Sequence, residues 1–168
     1  IDDLLAYMIN NIGTTPFTLL CLGPLTDAAY LISNLGNAPA YIDRIVWTGG
    51  DISLTPGQLP PPNIDTGMSP GANPNAEWNV YWDPFAVSAV FASGIPVYMF
   101  PTLVTDQVPL TQAMLFEYFI PGAAQYRTVD LAAQLYAIAG YESGYHFWNT
   151  CTTAFLGQPS LFGFETLN

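Results

Sequence analysis

Lysine is absent from this chain of 168 residues, arginine occurs only as Arg44 and Arg127, histidine occurs once and cysteine twice. With 13 acidic residues the formal net charge is −11, yet charged residues make up only 9% of the sequence, where roughly a quarter is usual. Phosphate binding draws on clustered Lys and Arg, so nucleic acid is disfavoured as a partner, and anionic membrane surfaces are disfavoured for the same reason. Two cysteines, one histidine and no C-x-x-C spacing argue against a zinc site. Cys21 sits in the apolar run FTLLCL, which suits a buried reduced thiol better than half of a disulfide with Cys151. No apolar run reaches the ~18 residues of a membrane span, so no bilayer crossing is expected.

Two further absences lie at the start of the chain. IDDLLAYMIN opens with acids and has no basic n-region, so it does not read as a signal peptide. It also lacks an initiator Met, which leads us to expect a piece of a longer polypeptide. The missing Lys leans toward an extracellular or otherwise exposed setting, while cysteine usage leaves the compartment open.

What the chain has is apolar surface: 51% hydrophobic residues, with Tyr 10, Phe 10 and Trp 4. So few charges beside so many aromatics imply more covered surface than a soluble monomer needs. A homo-oligomer, a larger assembly or a companion chain would cover it. The length falls within the range of one domain with a real core.

The hydrophobic pattern alternates between two periods. Ile1, Leu4, Leu5, Met8 and Ile9 have helical spacing, and Gly13 ends that helix. Phe17–Leu22, Arg44–Thr48 and Val97–Phe100 are short apolar runs of buried-strand character. Asp27–Leu35, Asp83–Ala92, Leu110–Phe119, Thr128–Ala139 and Asn149–Leu156 read as helices. Strands alternating with helices predict an α/β fold in a single domain, with a Rossmann-like, mostly parallel sheet and helices on both faces. Ligands in that architecture sit at the carboxyl ends of strands, where Thr26, Thr48 and Thr105 fall. Gly49-Gly50 opens a long proline-rich loop to about Asn75. Loops of that length in compact domains commonly serve function.

The densest chemistry lies in GANPNAEWNVYWDP, from Gly71 to Pro84, where two carboxylates and three amides adjoin aromatic rings. If Ala76–Tyr81 is extended, Glu77 and Asn79 share one face and Trp78 takes the other, an arrangement that fits a sugar diol. The plainer reading is a surface loop leading into a helix with Asp83 as N-cap and Pro84 at its first position.

Five segments in order, LGPLTDAA, RIVWTGG, AEWN, DPFA and SGIPVYMFPTLVT, resemble the inosine-uridine preferring nucleoside hydrolase family, with a weaker match in WNTCTTAFLGQPSLF. The resemblance covers about Phe17–Phe162. It implies a nucleoside hydrolase-like sheet, here incomplete, and hydrolysis of the N-glycosidic bond of ribonucleosides. In that family Ca2+ binds the ribose hydroxyls and the attacking water, held by an N-terminal aspartate cluster, a threonine carbonyl and a late aspartate. By resemblance Thr26 matches the carbonyl donor and Asn149 stands at the late aspartate, an amide in place of a charge. The N-terminal cluster has no counterpart, since Asp2-Asp3 lies in a helical pattern.

The same resemblance sets Glu77 and Asn79 on the ribose, with Asn73 or Asn75 in place of an upstream Asn. It puts Thr48 beneath the sugar, while Trp78 either stacks on the base or belongs to the core. His146, two residues upstream of the matching Trp148, is the only histidine available as a general acid and reads as well as a packed residue. Three functions stay open: part of a nucleoside hydrolase completed by an upstream segment or partner chain, a catalytically inactive structural or self-assembling relative, and a ribose-binding module.

Overall fold

The computed structural model describes the chain apart from residues 12, 14, 54–63, 65–70, 72, 74, 140–143 and 167–168. The chain divides into two compact units, one made of Ile1–Leu103 with Asn149–Asn168 and the other of Val104–Trp148.

The first unit is built on three parallel strands in the order β1-β2-β3: β1 (Phe17–Cys21), β2 (Ile42–Thr48) and β3 (Val97–Phe100). Register pairs Leu19 with Ile45 and Cys21 with Trp47 on one side of β2, and Ile45 with Val97 and Thr48 with Phe100 on the other. The three parallel strands expected from the apolar runs are therefore present, with β2 beginning two residues earlier than Arg44.

Alternation along the strands splits the side chains between two faces. Ile45, Trp47, Val97, Met99, Leu19 and Cys21 join a core with Met8 of α1 (Asp2–Asn10), Leu31 of α2 (Thr26–Asn34) and Val90 of α4 (Pro84–Phe91). The spacing of Leu25, Ala28, Leu31 and Leu35, all buried, turns one stripe of α2 onto the sheet. On the opposite face Tyr98 and Phe100 stack within 5.4 and 5.7 Å of Phe155. Phe155 lies on α9 (Trp148–Gly157), and Phe162 and Phe164 close over the same rings. Helices thus cover both faces, as expected for an α/β sheet. Each fully buried Leu, Ile or Val contributes about 1.5–3 kcal/mol.

Short helices follow the strands. Between β2 and α4 lies α3 (Trp78–Trp82), and β3 runs into α5 (Thr102–Thr105). Ala76–Tyr81 is not extended: the Glu77 carboxylate caps α3, and Trp78 packs against Tyr81 and Trp82 one turn on. Spacings of three and four residues bring those rings together only in a helix.

The second unit is helical. The helix expected over Leu110–Phe119 starts at Gln112, where the Thr111 hydroxyl accepts from the Met114 amide. It runs as α6 (Gln112–Met114), a π-helical turn over Leu115–Phe119 and α7 (Ile120–Ala123). Beside these lies α8 (Arg127–Ala139), with Phe119, Tyr136 and Phe147 clustered at 4.8–6.2 Å. Both cysteines are free thiols, and burial pushes the Cys21 thiol up to about 11. Among the described residues no helix is long and apolar enough to cross a membrane.

Trp47, 1% exposed, donates its indole N–H to the Gly23 carbonyl and lies against Gly49, where an added Cβ would come within 2.4 Å of two ring carbons. Gly49→Ala must displace the indole, so we expect a loss of about 1–3 kcal/mol, read as a lower urea midpoint. An unchanged midpoint would show that the ring does not depend on that gap.

Candidate functional site

The carboxyl end of β2 gathers most of the polar groups singled out in the sequence. Thr48 is 5% exposed; its hydroxyl is hydrogen bonded to that of Thr152 on α9, and its carbonyl accepts from Asn79 Nδ2 at 2.8 Å. Gly50 has φ +70°, a left-handed conformation that favours glycine, and donates its amide to Glu77 Oε2 at 2.7 Å. The same oxygen accepts from the amides of Asn79 at 2.9 Å and Val80 at 3.2 Å. Glu77 is 8% exposed. One buried carboxylate oxygen therefore caps α3 and fixes the chain leaving β2.

Glu77 and Asn79 do converge on the end of β2, but through a helix N-terminus rather than through strand alternation. Trp78 is half-buried and stacks on Trp82 at 6.2 Å. Asn73 and Asn75 are exposed, and Asn73 Oδ1 accepts from the Asn75 amide at 3.0 Å, an Asx turn.

Thr26 opens α2, and its hydroxyl donates to Asp83 Oδ2 at 2.7 Å. Asp83 Oδ1 accepts from the Ala86 amide at 2.9 Å, so Asp83 is the N-cap of α4 while tying it to α2. The Ala86 amide, then the Thr26 hydroxyl, hold the Asp83 carboxyl below the usual carboxylate range. Asn149 lies exposed in the first turn of α9. In the second unit, His146 is half-buried with Nδ1 2.8 Å from the Gly144 carbonyl and its ring 5.5 Å from Trp148. These contacts hold the His146 ring in place within its own unit.

Calcium suits several oxygen ligands with carboxylates among them. Among the described residues no group of three or more His, Cys, Asp or Glu side chains is placed to hold a metal. Thr26 and Asn149 offer neutral oxygens only. This donor set does not fit calcium on its own.

Three polar residues at the strand ends escaped the motif reading. Thr152 meets Thr48 across 104 positions of sequence. Asp51 Oδ1 accepts from the amides of Ile52 at 2.8 Å and Leu103 at 3.2 Å. The amide of Thr102 donates to the Gly50 carbonyl at 3.2 Å. Local pattern marks none of them, although Asp51 directly follows the Gly49-Gly50 pair.

A profile of the inosine-uridine preferring nucleoside hydrolases matches residues 2–168. A non-specific ribonucleoside hydrolase, RihC, of Escherichia coli O127:H6 is 33% identical over 150 residues, covering 88% of this chain and 43% of that protein. Its counterpart in Escherichia coli O1:K1 is 32% identical over the same shares. A crystal structure of an inosine-uridine preferring nucleoside hydrolase from Bacillus anthracis superposes with a TM-score of 0.80 at 30% identity, over 99% of this chain and 50% of that one. The chain thus spans about half the length of the relatives it matches.

Replacing Glu77 by Ala orphans three amides, so we expect a loss of about 2–3 kcal/mol in urea unfolding, and a smaller one, about 1 kcal/mol, for Glu77→Gln. Equal midpoints for Ala and wild type would remove Glu77 as the clasp. A second expectation concerns acid. A carboxyl depressed in the folded state adds stability above its unfolded pKa, and that contribution is lost as pH falls through the folded value. Asp83→Asn should therefore flatten the decline in melting temperature below about pH 4; an unaltered acid limb counts against the Thr26–Asp83–Ala86 link.

Proposed function

Because the chain belongs to the inosine-uridine preferring nucleoside hydrolase family, we propose that it supplies the ribose-facing part of an enzyme cleaving the N-glycosidic bond of ribonucleosides. Completion by an upstream segment or a companion chain is part of this reading. The observation that carries it is the buried polar cluster of Thr48, Gly50, Glu77 and Asn79 at the carboxyl end of β2, where ligands bind in open α/β sheets. Glycosidic hydrolysis also needs a base to deprotonate water and charge to stabilise an oxocarbenium-like sugar. Among the described residues no group of three or more His, Cys, Asp or Glu side chains is placed to hold a metal for such a water, and the relatives' unmatched half leaves room for one.

A second reading, a catalytically inactive relative that self-assembles, is favoured by the exposed Trp82 at 66% and Phe85 at 86% and by Asn149 in place of a charged residue. Large apolar side chains left in water commonly mark a covered surface. A homo-oligomer or a partner chain would bury them. The third reading, a ribose-binding module without turnover, needs the same cluster and no base.

Release of free base from inosine and uridine tests these readings. The 168-residue chain and its Asn149→Asp variant are expected to be silent, and the same chain completed by its upstream segment is expected to turn over. Turnover by the isolated chain well above a buffer control would show the catalytic groups to be misplaced here. Silence of the completed protein, with nucleoside still bound, would favour the binding module; silence without binding would favour the assembling relative.

A further inference from the structure

We infer that copies of this chain join head to tail through the helical unit, the outer stripe of α8 in one copy seating in an apolar groove beside α8 in the next. Leu131, Leu135 and Ile138 are 59%, 58% and 71% exposed, and their spacing of i, i+4 and i+7 sets them in one stripe along the helix. The inner side of α8 is apolar as well: Ala133 is buried, and Tyr136 packs on Phe119 and Phe147. A helix that is apolar on two faces belongs between two layers. Here the inner face is covered and the outer one lies in water.

The groove is in the same unit. It is a cavity of about 270 Å3 lined by Leu110, Leu115, Phe116 and Ile120 together with Ala133 and Ala137 of α8. At 3.6 residues per turn, the two alanines lie roughly 150° around the helix from the stripe. One copy therefore presents a ridge and a groove on different faces, the arrangement that gives heterologous, open-ended association rather than a two-fold pair. A helix laid into an apolar groove is anchored at i, i+4 and i+7, which is what the stripe supplies.

Charge selects the same pairing. Arg127, the one Arg or Lys of the unit, is exposed one turn before Leu131 and has no ion pair among the described residues. Acids accompany the groove: Asp130 lies one turn before Ala133, Glu117 adjoins Phe116, and both are exposed. Stripe in groove brings opposite charges to the rim, whereas groove against groove sets acid against acid. The contact rests on the self-assembling reading and is independent of nucleoside hydrolysis.

Analytical ultracentrifugation of the full 168-residue chain is the test. It is run beside Leu135→Gln in the stripe and Phe116→Gln in the groove, both at exposed positions and neither altering net charge. Circular dichroism checks that each variant is folded, and Leu131→Gln or Ile120→Gln replaces one that is not. The expected result is a mean mass that climbs with concentration past that of a dimer, with a Kd per contact on the order of 10–100 µM for an interface at the small end of the specific range. Each variant alone should associate at least tenfold more weakly. Mixed in equal amounts, the two should form a 1:1 dimer and stop there, because one intact stripe and one intact groove remain between them.

A wild-type chain that stays monomeric up to millimolar concentration overturns the contact and the self-assembling reading together. Assembly that both variants leave intact overturns the contact alone. So does a dimer plateau that survives Phe116→Gln, since the pair is then two-fold through the stripe. A mixture of the variants that stays monomeric shows that stripe and groove are not partners and overturns the contact equally.

Discussion

The acceptance of three backbone amides by one oxygen of Glu77 is the constraint on which the strand-end region depends. Gly50, Asn79 and Val80 all donate to it. Two of these bonds start α3 and the third stops β2. Without a buried acceptor at this point, the chain would return from a long excursion with nothing to fix where α3 begins. A charged acceptor suits the role, because hydrogen bonds to ionised groups contribute about 1.5–3 kcal/mol rather than the ~1 of a neutral pair. The role also limits what Glu77 can do for a ligand, since one of its two oxygens is already committed.

Several other contacts extend from that point. Asn79 reaches back to the Thr48 carbonyl, Thr48 meets Thr152 on α9, and Asp83 links α4 to the first residue of α2. The first two join an element to the carboxyl end of β2, and the third joins α4 to the helix that follows β1. In a parallel sheet every strand ends at the same edge, so polar side chains of the following segments collect there without any long-range design. Trp47 sets the other boundary, filling the space over Gly49 and Gly50 from within the core. Gly49 leaves room for the indole, and Gly50 takes the left-handed turn.

The family places this arrangement among nucleoside hydrolases, and the chain accounts for about half of such a protein. Among the described residues the polar contacts at the strand ends stand without a group of three or more His, Cys, Asp or Glu side chains placed to hold a metal, and many large apolar side chains lie in water. A surface with net charge −11 repels its own copies where its acids lie.

The sequence by itself determined the elements whose signal is local. Apolar runs of four to six residues gave three parallel strands, helical spacing gave α1, α2 and α8, and Asp83-Pro84 marked the start of α4. Motif order gave the family. Tertiary structure decided what depends on groups far apart in sequence. Ala76–Tyr81 alternates well enough to read as a strand, yet capping by Glu77, secured through the distant Gly50 amide, and ring contacts at helical spacing make Trp78–Trp82 a helix. Thr152 and Thr102 gained their places only when α9 and α5 came to the strand ends. Periodicity reports which face a side chain takes; it carries no information on which distant oxygen will be left buried without a donor.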